Sequence, residues 1–189
     1  MKKNEFYILN SLYNGSIGRA DCSYALDCVR ALSDTRAYNR LVHAGYIDKE
    51  SGCLTELGIK ALEPYKVNNA IIMAAGMSSR FAPLSYERPK GLLNVKGEIL
   101  IEREIRQLQE AGITDITIVV GYMKEKFFYL EEKFGAKIVV NEDYYQYNNT
   151  STLIRVLDKL SNTYICSSDN YFVDNVFEPY VYKGYYSAV

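Results

Sequence analysis

Histidine is almost missing from this chain: in 189 residues only His43 carries an imidazole. That excludes a His-rich metal centre and disfavours a Ser-His hydrolase, since His43 lies in a region with no nucleophile elbow. Cysteine is sparse as well. Cys22, Cys28, Cys53 and Cys166 show no CxxC spacing, and a zinc site built from Cys22, Cys28, His43 and Cys53 fits no common finger. Reduced, structural thiols are expected. Neither sign of charge is in excess: 22 Lys and Arg against 23 Asp and Glu leave a net charge of -1, so there is no global attraction to nucleic acid or to an anionic membrane. No apolar run approaches the length of a membrane span, and the opening MKKNEFYILN lacks the apolar core and small-residue cleavage site of a signal peptide. A cytoplasmic protein with no membrane partner is expected. With 48% hydrophobic and 24% charged residues, the composition is that of an ordinary globular protein.

What the chain does have is one dense stretch, Asn69 to Val95, reading NAIIMAAGMSSRFAPLSYERPKGLLNV. Ala70 to Ala74 is a short apolar run, long enough for a buried strand and too short for a free-standing helix. It ends in Ala75-Gly76, followed by Ser78, Ser79 and Arg80. A small-residue turn after a buried strand exposes backbone N–H groups to an anion, and a long cation just behind can pair with it, as a nucleoside triphosphate requires. Lys90 is a second cation, with Pro89 keeping the chain before it extended.

The rest of the chain falls into two units, 1–66 and 67–189. In the first, Asn4 is a candidate cap for a helix through Phe6, Ile8, Leu9 and Leu12 that stops at Asn14-Gly15. Helices are expected over Asp21 to Val29 and from Ser33 to Ala44, then a hairpin around Lys49 to Gly52 and a helix capped by Thr55 and ended by Pro64. This order, with the phrases AGYID and GCLTELGIKAL, resembles a small winged helix-turn-helix domain. Such domains usually bind DNA through the third helix, which here carries Arg36 and Arg40 one turn apart. Bases and acids nearly cancel over the segment, however, so a protein-contact, sensory or spacer role competes with a DNA partner. In the second unit, apolar strands at 70–74, 116–120, 136–140 and 164–167 alternate with amphipathic helices. In the helix after Gly97, Ile101, Ile105 and Leu108 form the apolar stripe while Glu102, Arg103, Arg106 and Gln109 are expected to face water. A second amphipathic helix is expected from Ser151 to Leu160. The pattern argues for an α/β fold, an open and mostly parallel sheet covered by helices on both faces. In such sheets ligands bind outside the carboxyl ends of the strands.

AAGMSSRF followed by RPKGLL resembles the signature of the Rossmann-like nucleotidyltransferases, and more narrowly that of the bacterial CTP:phosphocholine cytidylyltransferases. The resemblance covers the chain from about Asn69 onward; many members have Gly where this chain has Ser78. It implies transfer of CMP from CTP to a phosphomonoester acceptor such as phosphocholine, with release of pyrophosphate. It also implies that Ala74, Ala75, Gly76, Met77, Ser78 and Ser79 contact the nucleotide, that Arg80 and Lys90 serve catalysis on the phosphates, and that Asp169 binds Mg²⁺. Asn141 and Asn148 (or Asn149) are candidates for bonding the base or for shaping the loop. The family uses a second acidic ligand on a later strand, and the sequence stops at Tyr185 to Val189, which itself reads as a strand being entered; a truncated domain is the expectation. Two other functions fit the same residues: a sugar-1-phosphate nucleotidyltransferase, and a nucleotide-sensing DNA-binding regulator. Tyrosines at 144, 145, 147, 182, 185 and 186 are candidate cage material for a quaternary ammonium.

Overall fold

A computed structural model describes residues 1–16, 35–79, 82–146 and 149–186. The chain divides into two compact units: residues up to Lys66 together with those from Tyr180 onward, and Val67–Pro179.

The first unit begins with α1 (Lys3–Ser16). Asn4 lies inside this helix and is not its cap. Glu5 instead reaches back to accept from the Lys2 backbone N–H at 2.9 Å, as the acidic member of a capping box does. Asn14 and Gly15 also lie within α1 and do not end it. The helix expected over Asp21 to Val29 lies outside the described residues. Next come α2 (Thr35–His43), an antiparallel bridge Ile47↔Leu54 at the expected hairpin, and α3 (Glu56–Leu62). Thr55 caps α3, its hydroxyl accepting from Gly58 N–H at 3.1 Å. Phe6, Leu9, Leu12, Ala37, Leu41, Ile47, Leu62 and Tyr180 form one buried cluster. Tyr180 brings the carboxyl-terminal segment into it. Residue 180 bridges Lys66, Val181 N–H donates to Tyr65 C=O at 2.8 Å, and the Tyr182 ring stacks on Tyr65. Tyr180 and Tyr182 thus belong to the core of the first unit; of the stretch expected to enter a strand, the described residues 185 and 186 form none. Arg40 pairs with Glu5 at 2.9 Å. One further expectation is revised here: Cys53 is disulfide-bonded, so it is not the reduced thiol that its spacing suggested.

The second unit is built on a parallel sheet of four strands: β1 (Asn69–Ala74), β4 (Ile116–Val120), β5 (Lys137–Val140) and β6 (Thr163–Ser167), ordered β5-β4-β1-β6. A two-residue hairpin, β2 (Asn94–Val95) and β3 (Glu98–Ile99), turns at Lys96-Gly97, both with positive φ. β1 is nearly all buried because it is central and covered on both faces, as its unbroken apolar run requires. On one face Ile71 and Val119 pack with Met73, Val139, Leu153 and Val156. Cys166 pairs with Ile72 and so points to the other face, where it feels the Glu104 carboxyl of α4 (Leu100–Glu110).

Several helices differ from expectation. Glu102 does not face water: it is 5% exposed and accepts from Tyr129 O–H at 2.9 Å and Lys133 Nζ at 2.7 Å. Both partners come from α5 (Tyr129–Phe134), which α4 packs beside. The helix expected over 151–160 is shorter. α6 spans Asn149–Ile154, and the chain then turns so that Val156 drops fully into the core.

Candidate active site

Because β1, β4 and β6 run parallel, their carboxyl ends deliver three turns to one rim. A cavity of about 320 Å³ opens there, lined by Ala74, Gly76, Met77, Ser78, Ser79, Lys90, Ser167, Ser168 and Asp169 among others. The structure thus brings together the turn, one cation and the carboxylate that lie up to 95 residues apart in sequence. Arg80 and Asn148 lie outside the described residues.

Ser78 adopts φ 56°, the left-handed region where an L-residue is strained and glycine is at ease. This accounts for the glycine that the resemblance leads one to expect here. Its hydroxyl offsets part of that strain by accepting from the Lys90 backbone N–H at 3.4 Å, so it acts as an acceptor toward the protein. Gly76 has open space where a Cβ would stand, leaving its backbone bare toward the cavity. Ala75 is buried, and its carbonyl is occupied by Tyr122 N–H.

Arg88 and Pro89 are extended and Lys90 opens a tight 3-10 turn. The next residue, Gly91, lies against β6's exit: a Cβ there would stand 2.9 Å from Ser168 Cβ and 3.1 Å from Ser168 C=O. That close approach sets Lys90 Nζ 3.3 Å from Asp169 Oδ2. Asp169 Oδ1 accepts from Ser167 O–H at 2.7 Å. Burial opposes ionisation of Asp169, but the Ser167 hydroxyl and the Lys90 ammonium outweigh it and hold the carboxyl below its usual range. One carboxylate with serine hydroxyls beside it suits Mg²⁺, which commonly keeps its waters and takes most other ligands from phosphates.

Asn141 is placed differently from a base-binding group. It is fully buried; its amide donates to Ser151 Oγ and Thr152 Oγ1, both at 3.2 Å, and its oxygen accepts from Asp143 N–H at 3.1 Å. It shapes the loop. Of the described candidate tyrosines, Tyr144 sits between Tyr122 and Tyr145, whereas Tyr182 packs on Phe6 and Tyr65 in the first unit.

Sequence reasoning missed Glu104. It is 1% exposed, and neither carboxyl oxygen has a hydrogen-bond partner among the described residues. Burial, reinforced by the negative charge of Asp169, pushes it up to about 8, so it is neutral at pH 7. A glutamate in a helix otherwise rich in charge gives no sign of this; its position one residue before Ile105 in the apolar stripe was the only available signal.

A nucleotide-binding α/β unit is defined by such a sheet, with a cation, a carboxylate and a small-residue turn converging at its carboxyl rim. More particularly, the chain belongs to the family of MobA-like NTP transferase domains, whose model matches residues 70–177. It is 43% identical over 120 residues to a choline-phosphate cytidylyltransferase of Streptococcus pneumoniae, covering 64% of this chain and 52% of that protein. It is 44% identical over 115 residues to a 2-aminoethylphosphonate cytidylyltransferase of Lancefieldella rimae, covering 59% and 47%. Among solved structures, a CTP:phosphocholine cytidylyltransferase from Streptococcus pneumoniae superposes with TM-score 0.58 at 46% identity, over 59% of this chain and 49% of that one. The chain spans about half the length of the curated relatives it matches.

Two outcomes follow. Gly91→Ala should lower stability by about 1–3 kcal/mol in chemical denaturation, because the new methyl meets Ser168 backbone that cannot yield. For Glu104, the folded state keeps its proton between pH 4.5 and about 8 while the unfolded state has lost it. The stability due to the neutral acid is therefore complete below pH 4.5 and is lost as pH rises toward 8, by at most about 1.4 kcal/mol per pH unit. Glu104→Gln should be more stable than the parent at pH 8, with the gap closing toward pH 5, in melts across that range.

Proposed function

We propose that the second unit carries a cytidylyltransferase site that transfers CMP from CTP to a phosphomonoester acceptor and releases pyrophosphate. The observation that carries this reading is the pairing of Lys90 with Asp169 over a cavity floored by the 74–79 turn. The names of the relatives support cytidine and a small zwitterionic acceptor, phosphocholine first.

An acceptor oxygen attacks the α-phosphorus and the bond to pyrophosphate breaks, so negative charge grows on the α-phosphoryl oxygens and on the leaving group. The protein's work is positioning and electrostatics. Lys90 is assigned to the α-phosphate, Arg80 to the departing phosphates, and the backbone of Ala74 to Ser79 to the nucleoside and its first phosphate. Mg²⁺, held by Asp169, would supply charge neutralisation between phosphate oxygens. The cytoplasm, where nucleoside triphosphates are abundant, is the compartment proposed, although the disulfide at Cys53 is uncommon there. For the first unit we favour a protein-contact or sensory role over a DNA reader. Of the two arginines one turn apart in α2, Arg40 shares its charge with Glu5, and bases and acids nearly cancel over the segment.

The test is calorimetric titration of the four nucleoside triphosphates with Mg²⁺, with pyrophosphate assayed in the presence of phosphocholine, 2-aminoethylphosphonate or a sugar 1-phosphate. CTP should bind at least about tenfold more tightly than the others, a difference of about 1.4 kcal/mol. Where turnover is seen, Lys90→Ala should reduce it by about 10²-fold or more. Failure of every nucleotide to bind would overturn the reading, and turnover with a sugar 1-phosphate alone would replace the acceptor.

A further inference from the structure

The segment that follows Asp169 has no regular secondary structure, yet it is gripped from one side by α4. Arg103 Nε donates to Phe172 C=O at 2.8 Å and its Nη2 donates to Val173 C=O at 2.6 Å. The guanidinium carbon lies 4.8 Å from the centre of the Tyr171 ring, and its remaining edge pairs with Glu98. Gln107 adds a second donor to Phe172 C=O at 3.1 Å, and Asn175 donates to Gln107 C=O at 2.7 Å. Lys96, held in a left-handed turn, reaches the same Tyr171 ring at 5.4 Å.

One side chain therefore holds three consecutive residues, 171 to 173, beginning two positions after the carboxylate at the cavity. On its amino-terminal side Asp169 is held by Ser167. The planar fork matters: two donors must meet two successive carbonyls while the plane lies over a ring, and a lysine, a point charge on a flexible stem, cannot do both.

We propose that Arg103 is a positioning residue of the transferase site: by clamping residues 171–173 it fixes the loop that presents Asp169 to a divalent cation. It touches neither nucleotide nor acceptor and acts through Asp169. The inference rests on the nucleotidyltransferase reading for its functional meaning, but its structural content can be tested without nucleotide.

The experiment is a titration of the full chain with Mn²⁺ alone, following paramagnetic broadening of the backbone amides of Ser167 to Asn170, in the parent, Arg103→Lys, Arg103→Ala and Arg106→Ala. Arg106 is on the same helix and also pairs with Glu98, but it does not bond the loop. Thermal melts run alongside separate loss of fold from loss of positioning. The parent and Arg106→Ala should share one broadening midpoint, while Arg103→Lys, which keeps its charge, should need at least about fivefold more Mn²⁺ with the melt unchanged. Equal midpoints in parent and Arg103→Lys, or no broadening of these amides in the parent, would overturn the proposal. If the midpoint shifts as expected but no nucleoside triphosphate binds the parent, the positioning role stands and the transferase reading falls.

Discussion

Parallel pairing of β1 with both of its neighbours is the constraint on which the second unit depends. Ile72 sits between Ile118 and Cys166, and that register forces the three strands to leave the sheet on the same edge. Antiparallel pairing of either neighbour would have sent its exit turn to the opposite edge. The 74–79 turn, Gly121 and the 167–169 turn thus become neighbours without any residue in them having to attract another. Gly121 shows how close the approach is: a Cβ there would stand 2.8 Å from Ala75 C=O and 2.7 Å from Tyr144 Cβ. The largely apolar character of β1 and β4 is a consequence of the same arrangement, since each is covered on both faces.

The sheet was legible because its signal is local. Continuous apolar runs of four to six residues bounded by turns read as buried strands, and all four expected runs are strands within a residue of their expected limits. The pairing of Lys90 with Asp169 was legible only through motif order, since nothing in either neighbourhood specifies a contact across 79 residues. Polar residues that the tertiary structure buries were barely legible. Glu102 and Glu104 look like solvated helix positions until α5 and the 170–175 loop are placed against that helix. Asn141 carries the same ambiguity, because an asparagine after a strand can serve a ligand or close its own loop, and the hydroxyls of Ser151 and Thr152 decide the matter. Tyr180 gave no sequence signal of its own: an aromatic residue near the end of the chain does not say which core receives it.

Among the described residues, the ionised side chains lining the rim offset each other. Lys90 and Asp169 pair with each other, and the buried Glu104, which feels the Asp169 charge, is held in its neutral form. An ionised Glu104 would add repulsion to Asp169 in a poorly solvated place and weaken the very carboxylate that Ser167 and Lys90 keep ionised.

That balance also bears on how such a site could be loaded. The Lys90–Asp169 contact is long for an ion pair at 3.3 Å, with the lysine 18% and the carboxylate 36% exposed, so the pair is open to solvent on the Asp169 side. A triphosphate arriving with its cation offers each partner a replacement of the proper sign, phosphate oxygens for Lys90 and a divalent charge for Asp169. Under the proposed function, loading would then be an exchange of partners. What must not move during that exchange is the backbone on either side of Asp169. Ser167 on the strand side and the α4 side chains on the loop side hold it there, which is why the fastening of the 170–175 segment matters as much as the pair itself.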